Sequence, residues 1–334
     1  MKRQEPNHPR VVVVTGASAG VGRATVRAFA REGAHIGLIA RDTEGLYAAS
    51  REVDEAGGKG LAVPADVADA AQVEAAAARI EEDLGPIAVW VNNAMTTVFA
   101  RVADITPEEF KRATEVTYLG TVYGTMAALR RMLPRNAGRI IQVGSALAYR
   151  SIPLQAAYCG AKHAIAGFTD SLRTELIHDR RNIHLTMVQL PAMNTPQFTW
   201  CRSKMPRHPQ PVPPIFQPEV AAERIVWASH HNRREVFVGV PTVIAIEANK
   251  IAPALADRYL GRTGFDSQQT QEAVPPNRPD NLFEPVPGDF GAHGVFGRQA
   301  HQEAATTWLS AQKGAALAGA AAFVLAFAIA GRAS

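Results

Sequence analysis

Residues 11–22 read VVVVTGASAGVG, four valines and a threonine running into a turn with glycines at 16, 20 and 22. An apolar run this short and uniform is the pattern of a strand buried on both faces, as inside a parallel sheet. The turn opens a segment carrying Val26, Phe29 and Ala30 at helical spacing. Strand, glycine turn and helix in that order make a site for a dinucleotide phosphate. Glycine lets the backbone turn tightly and approach the pyrophosphate, and the helix start offers free N–H groups at the positive end of its dipole. Gly16, Ser18, Gly20, Val21 and Gly22 are therefore the candidate phosphate cradle.

The same alternation continues outward. Ile36–Ala40 predicts a second strand that ends at Arg41-Asp42. In such a fold the residue after the second strand faces the adenosine ribose, where an acid takes the 2′-hydroxyl and an arginine neutralises a 2′-phosphate. Arg41 points to NADP(H) in preference to NAD(H), while Asp42 either reaches the ribose or starts the next helix. Gly60–Val63 predicts a third strand, followed by Asp66-Val67, where the carboxylate either bonds the adenine amino group or caps the following helix. Strand Ile87–Val91 delivers Asn92-Asn93-Ala94-Met95; a helix is expected over 107–133, and strands over 139–143, 184–189 and 235–239. Strands alternating with helices of about ten to fifteen residues mean a Rossmann-like, doubly wound α/β fold, a parallel sheet of about seven strands with helices on both faces.

Residues 145–162, SALAYRSIPLQAAYCGAK, follow the apolar run Ile140-Ile141-Gln142-Val143-Gly144. Ser145 sits at the strand end, and Tyr158 and Lys162 lie four apart, on one helix face about a turn from each other. An ammonium held near a phenol favours the phenolate and lowers the tyrosine pKa from about 10. A tyrosine tuned this way exchanges a proton near neutral pH, as reducing a carbonyl or oxidising an alcohol requires. The same pair also recurs on solvated helices, so its meaning rests on its surroundings. No G-x-S-x-G turn surrounds Ser145, which argues against a serine nucleophile.

Together, Thr15-Gly16-x3-Gly20-x-Gly22, Asp66-Val67, Asn92-Asn93-Ala94, Ser145 and Tyr158-x3-Lys162 resemble the short-chain dehydrogenase/reductase family, in family order across residues 10–240. The resemblance implies an NAD(P)-dependent oxidoreductase with Tyr158 as acid/base. Lys162 would hold the nicotinamide ribose and depress the tyrosine pKa, and Ser145 would orient the substrate oxygen. By the same resemblance Asn92, with Asn93 beside it, supports the cofactor site, Thr195 contacts the carboxamide, and the chain forms a homo-oligomer. Three positions depart from the family pattern. Thr117 stands where a catalytic asparagine is usual, which puts the water relay behind Lys162 in question, and Met95 and Ala192 replace glycines. None removes an atom that proton or hydride transfer requires.

The 334 residues carry a net charge of +4 and 47% are apolar, enough for a substantial core in one large α/β domain or two smaller ones. Lys and Arg are scattered, with no basic stripe interleaved with aromatics, which argues against nucleic-acid binding. The histidine pair His230-His231 has no Cys or carboxylate at ligand spacing, so no metal site is expected. Two cysteines, Cys159 and Cys201, fit a reducing compartment, and the catalytic domain is expected in the cytoplasm.

Residues 192–217 are expected to form a long proline-rich loop with Phe198, Trp200, Met205 and Phe216. In the family this position holds the substrate lid, and its apolar side chains point to a small hydrophobic carbonyl or alcohol substrate, steroid-, retinoid- or lipid-like. The alternative is that they pack the loop onto the body. The expected organisation is a catalytic domain over 1–262, a Pro/Gly-rich arm or linker over 263–310 and an apolar C-terminal helix over 311–334. Within it residues 314–331 are uncharged; a helix of that length spans roughly 27 Å against a bilayer core of about 30 Å. A single membrane anchor is expected there, with burial against protein as the alternative. The competing function is a non-catalytic NADP(H)-binding sensor or a membrane-tethered scaffold.

Overall fold

Val11–Thr15 forms strand β1 in the computed structural model, which describes residues 9–275 and 277–304. Its valines alternate between two apolar layers. Val12 and Val14 join the cluster holding Phe29, Leu46 and Ile225, whereas Val11 and Val13 join the one holding Ile80, Met132 and Leu176. A strand buried on both faces has no polar side to present, which is why this stretch reads as unbroken valine.

Six further parallel strands complete the sheet: β2 (His35–Ala40), β3 (Lys59–Pro64), β4 (Ile87–Asn92), β5 (Gly138–Ser145), β6 (Ile183–Leu190) and β7 (Glu235–Phe237). Their spatial order is β7-β6-β5-β4-β1-β2-β3. The chain winds outward from β1 through β2 and β3, then crosses back to begin the other half at β4. Open α/β sheets bind ligands at such a reversal, outside the carboxyl ends of the strands. Helices α1 (Gly20–Ala30) and α2 (Thr43–Glu55) cover one face, and α3 (Ala70–Leu84) covers the other.

The helix expected over 107–133 is divided: α4 (Pro107–Thr114), a π-helical stretch Glu115–Leu119, and α5 (Gly120–Arg135). Helix α6 (Ala156–His178) carries Tyr158 in its first turn, and α7 (Pro218–His230) packs beside α1. The last two helices, α8 (Val240–Ile251) and α9 (Pro253–Thr263), separate at Ala252 because Pro253 has no N–H to continue α8.

Residues 192–217 are not one irregular loop. They contain a helical turn, Gln197–Trp200, and short strands that pair with each other and with other segments, as Ile215–Phe216 does with Ala192–Met193 and with Ala300–His301. The described part of the arm is pinned to the body. Gln269–Ala273 pairs antiparallel with Arg207–Pro209, and Leu282 is fully buried among Val98, Ala100, Ala113 and Ala157. Among the described residues no helix is long and apolar enough to cross a membrane. The anchor expected over 314–331 lies outside them.

Candidate active site

The glycine turn is fixed by close contact from below. Gly16 has φ +66°, and a Cβ there would sit 2.9 Å from the Ala94 Cα. At Gly22 a Cβ would lie 1.9 Å from the Gly16 carbonyl oxygen, so only glycine lets α1 start this close to β1. Thr15 and Asn93 join the two halves of the sheet. The Asn93 and Ala94 N–H groups donate to the Thr15 hydroxyl at 3.0 and 3.1 Å, and the Asn93 amide donates to the Thr15 carbonyl at 3.0 Å.

A buried arginine holds the turn from the side. Arg23, 1% exposed, donates to the Ser18 carbonyl at 3.1 Å, the Gly45 carbonyl at 2.7 Å and the Glu52 carboxylate at 2.8 Å. Burial opposes ionisation of Glu52, but hydrogen bonds from Arg27 and Arg23 overcome it and bring its pKa from 4.5 down to about 2. The folded value lies below the unfolded one, so this contribution to stability is complete above pH 4.5 and is lost as pH falls towards 2. Glu52→Gln should destabilise the protein by roughly 1–3 kcal/mol at pH 7, because it leaves the buried Arg23 with Asp289, at 3.3 Å, as its remaining carboxylate. The difference from wild type should shrink at pH 3; urea unfolding at the two pH values measures both.

At the other half of the sheet, Ser145 ends β5 and its hydroxyl accepts from the Leu147 N–H at 3.1 Å. Lys162 is 3% exposed, and its ammonium donates to the Val143 carbonyl at 2.6 Å, 5.4 Å from the Tyr158 ring centroid. Burial pulls the Lys162 pKa down to about 8. Burial also pushes the Tyr158 phenol up, and a hydrogen bond from the Ser145 hydroxyl opposes it. This direction is opposite to the sequence-based expectation of a lowered phenol. The ammonium faces a main-chain carbonyl rather than the phenol oxygen, so desolvation wins.

Two polar residues singled out in the sequence, Asn92 and Thr117, turn away from the cleft. The Asn92 side chain accepts from the Trp90 indole at 2.8 Å and donates to Thr125 at 3.0 Å and Gln142 at 2.9 Å, all within the core. It braces the β4 end from beneath, while Asn93 lines the cleft. Thr117 is fully buried in the π-helical stretch. Its hydroxyl donates to the Thr96 carbonyl at 2.8 Å and accepts from the Thr96 N–H at 3.0 Å, fixing the segment after Met95.

Past the ends of β2 and β3, Asp42 caps α2 by accepting from the Glu44 and Gly45 N–H groups. Asp66 does not cap α3, a role that Asp69 takes; its carboxylate instead pairs with Arg112. Arg41 donates to two main-chain carbonyls of the arm, Phe283 at 2.5 Å and Asn281 at 2.6 Å. The thiols of Cys159 and Cys201 are both buried, and burial raises their pKa values, to about 11 for Cys201, so neither is a ready nucleophile.

All these strand ends open on one cavity of about 490 Å³. The strand order spreads its walls along the sheet edge: Asp66-Val67 after β3, Arg41 after β2, the turn Gly16 to Val21 after β1, Asn93 after β4, then Ser145, Tyr158 and Lys162. Thr195 faces the glycine turn, its Cβ 3.3 Å from where a Gly20 Cβ would be. Gly22 does not reach the cavity. Backbone that can approach a pyrophosphate, a basic group past β2 and a hydroxyl–phenol–ammonium cluster past β5 are the donors a nicotinamide dinucleotide needs.

Residues 10–205 match the family model described as short chain dehydrogenase. The uncharacterized oxidoreductase YxnA of Bacillus subtilis is 32% identical over 82% of this chain and 78% of its own. The chain belongs to the short-chain dehydrogenase/reductase family. Another relative, the 3-dehydrosphinganine reductase of Danio rerio, is 33% identical over 64% of this chain and 67% of its own. Among solved structures, a metagenomic short-chain oxidoreductase in complex with NADP is 26% identical with a TM-score of 0.58, covering 69% of this chain and 96% of that one. An alcohol dehydrogenase from Thermococcus sibiricus complexed with 5-hydroxy-NADP has the same identity and TM-score.

Several residues of this family member's site have no local sequence signature. Arg23 is one; others come from the arm, where Asn281, Pro285 and Val286 line the same cavity as the glycine turn. The apolar wall beyond Ser145 comes from Phe99, Leu147, Ile152, Phe198, Trp200 and Leu260.

Proposed function

We propose that this short-chain dehydrogenase/reductase is an NADP(H)-preferring enzyme that interconverts a carbonyl and a secondary alcohol on a hydrophobic substrate, with Tyr158 transferring the proton. The observation that carries the reading is the convergence of Ser145, Tyr158 and Lys162 in one cavity with the glycine turn and an apolar lid. A bound nicotinamide would give or take the hydride at its C4. Gly16, Ser18, Gly20 and Val21 would hold the pyrophosphate, Arg41 the 2′-phosphate, Asp66-Val67 the adenine side, and Asn93, Thr195 and Lys162 the nicotinamide half.

Burial keeps the Tyr158 phenol protonated at neutral pH. Such a phenol can deliver its proton to an alkoxide, a far stronger base, which favours the reductive direction. The phenolate left behind keeps the Ser145 hydroxyl as its partner, with the Lys162 ammonium 5.4 Å from its ring centroid and directed at Val143. Beside the cofactor-side residues, the cavity of about 490 Å³ is lined by the apolar side chains of Phe198, Trp200, Val212, Pro213 and Pro214 from the 192–217 segment. Extended apolar ketones and aldehydes should therefore be preferred over short polar ones. A panel graded by chain length, followed by NADPH consumption, tests this. Rising kcat/KM with apolar length is expected; preference for short hydrophilic carbonyls would overturn the substrate class.

A further inference from the structure

The arm contributes more than a covering. Around Asp280–Phe283, two arginines that line or flank the adenosine side take three successive main-chain carbonyls. Arg41 takes those of Asn281 and Phe283, and Arg112 takes that of Leu282 at 3.2 Å. The turn that presents them is shaped by Asp280, whose carboxylate accepts from the Leu282 N–H at 3.0 Å and pairs with Arg202 at 2.9 Å. Leu282 is its fully buried anchor.

The two arginines end in different electrostatic states. Arg112 is paired with Asp66, so its charge is largely cancelled. Arg41 is held by neutral carbonyls, which orient a guanidinium without neutralising it. A guanidinium has five N–H donors, so two carbonyl bonds leave three for an anion. The other charged groups acting on Arg41 are Asp66, Arg112 and the nearby Glu284. Asn281 also reaches the lid: its N–H donates to the Trp200 carbonyl at 2.9 Å, and its side-chain oxygen accepts from the Thr96 hydroxyl at 3.4 Å.

We propose that the arm turn Asp280–Phe283 is part of the cofactor-selecting machinery, positioning Arg41 for the 2′-phosphate of NADP(H) and tying that arginine to the substrate lid at Trp200. The inference rests on the reading of Arg41 given above. Asp280 is then a positioning residue: it touches no ligand, but it sets the carbonyls that aim Arg41. Freeing one long side chain from a fixed geometry typically weakens the interaction it makes by about two- to tenfold.

The test is a cycle of dissociation constants for NADPH and NADH, measured by titration with wild type, Arg41→Ala, Asp280→Ala and the double variant. Arg41→Ala should cut the NADPH/NADH discrimination by about tenfold or more, the loss of a charge-assisted contact. Asp280→Ala should cut it by about two- to tenfold while leaving NADH affinity unchanged, and should add nothing to the ratio once Arg41 is gone. Asp280→Asn keeps an oxygen for the Leu282 N–H and should retain discrimination, while Leu282→Ala, which removes the anchor, should lower it. The proposal is overturned if Asp280→Ala and Leu282→Ala leave the ratio intact, weaken both cofactors equally, or act equally without Arg41. If Arg41→Ala itself leaves the ratio unchanged, the 2′-phosphate reading of Arg41 fails first and the role of the turn falls with it.

Discussion

Tyr158→Phe should turn over substrate about 10²–10⁴-fold more slowly than wild type while binding NADPH with unchanged affinity. The substitution keeps the ring and its packing in the first turn of α6 but removes the transferable proton and the hydrogen bond to Ser145. Without a proton donor, an alkoxide forming in the cavity must be protonated by water, and the apolar lid limits water there. Cofactor affinity should hold because the glycine turn and Arg41 are untouched. Equal kcat in the variant, or equal losses in kcat and NADPH affinity, would contradict the role given to this phenol.

The second large effect concerns Lys162, and here stability and activity should move in opposite directions. The Lys162 pKa falls from the ordinary 10.5 to about 8 because the ammonium is buried. The folded value is below the unfolded one, so the unfolded chain binds this proton more tightly. Wild-type stability therefore carries the full penalty below pH 8 and recovers as pH rises towards 10.5. At about 1.4 kcal/mol per unit, the penalty near neutrality is on the order of 3 kcal/mol. Lys162→Met fills similar space without a charge and should be more stable than wild type at pH 7, with the gap narrowing by pH 10. Turnover should fall by about 10²-fold or more, since the cavity loses the ammonium that lies 5.4 Å from the Tyr158 ring and would hold the nicotinamide half. Urea unfolding at both pH values, together with kcat, reads out the trade. A variant less stable at pH 7 would mean that the hydrogen bond to Val143 outweighs desolvation.

The parts of this architecture legible in the sequence are those set by neighbours along the chain. Four valines before a glycine turn could only be a doubly buried strand, and the Tyr–Lys spacing put both side chains on one helix face. What escaped depends on distant partners. The Arg23 contact with Asp289 spans 266 residues, and the contacts of Arg41 with the arm span 240 and 242. The arm reads as a linker or wrapping arm because it is rich in Gly, Pro and polar residues, and its buried anchors, Leu282 and Ala292, stand isolated among them. The sign of the Tyr158 shift was misjudged for a related reason. Spacing reveals that a lysine is near, but not that its ammonium is directed at Val143 while the phenol is desolvated. Family resemblance put Asn92 among the supports of the cofactor site without saying from which side; as the last residue of β4 it points into the sheet interior, toward Gln142.

The central claim is that hydride and proton meet the substrate in one cavity, beside Tyr158. It is tested most directly with NADPH carrying deuterium at both C4 positions of the nicotinamide and the apolar ketone that the panel ranks first. The account predicts deuterium on the carbinol carbon of the product with wild type, and the same label at a rate lower by about 10²–10⁴-fold with Tyr158→Phe. Product without deuterium, or label transferred equally fast by the variant, would contradict it.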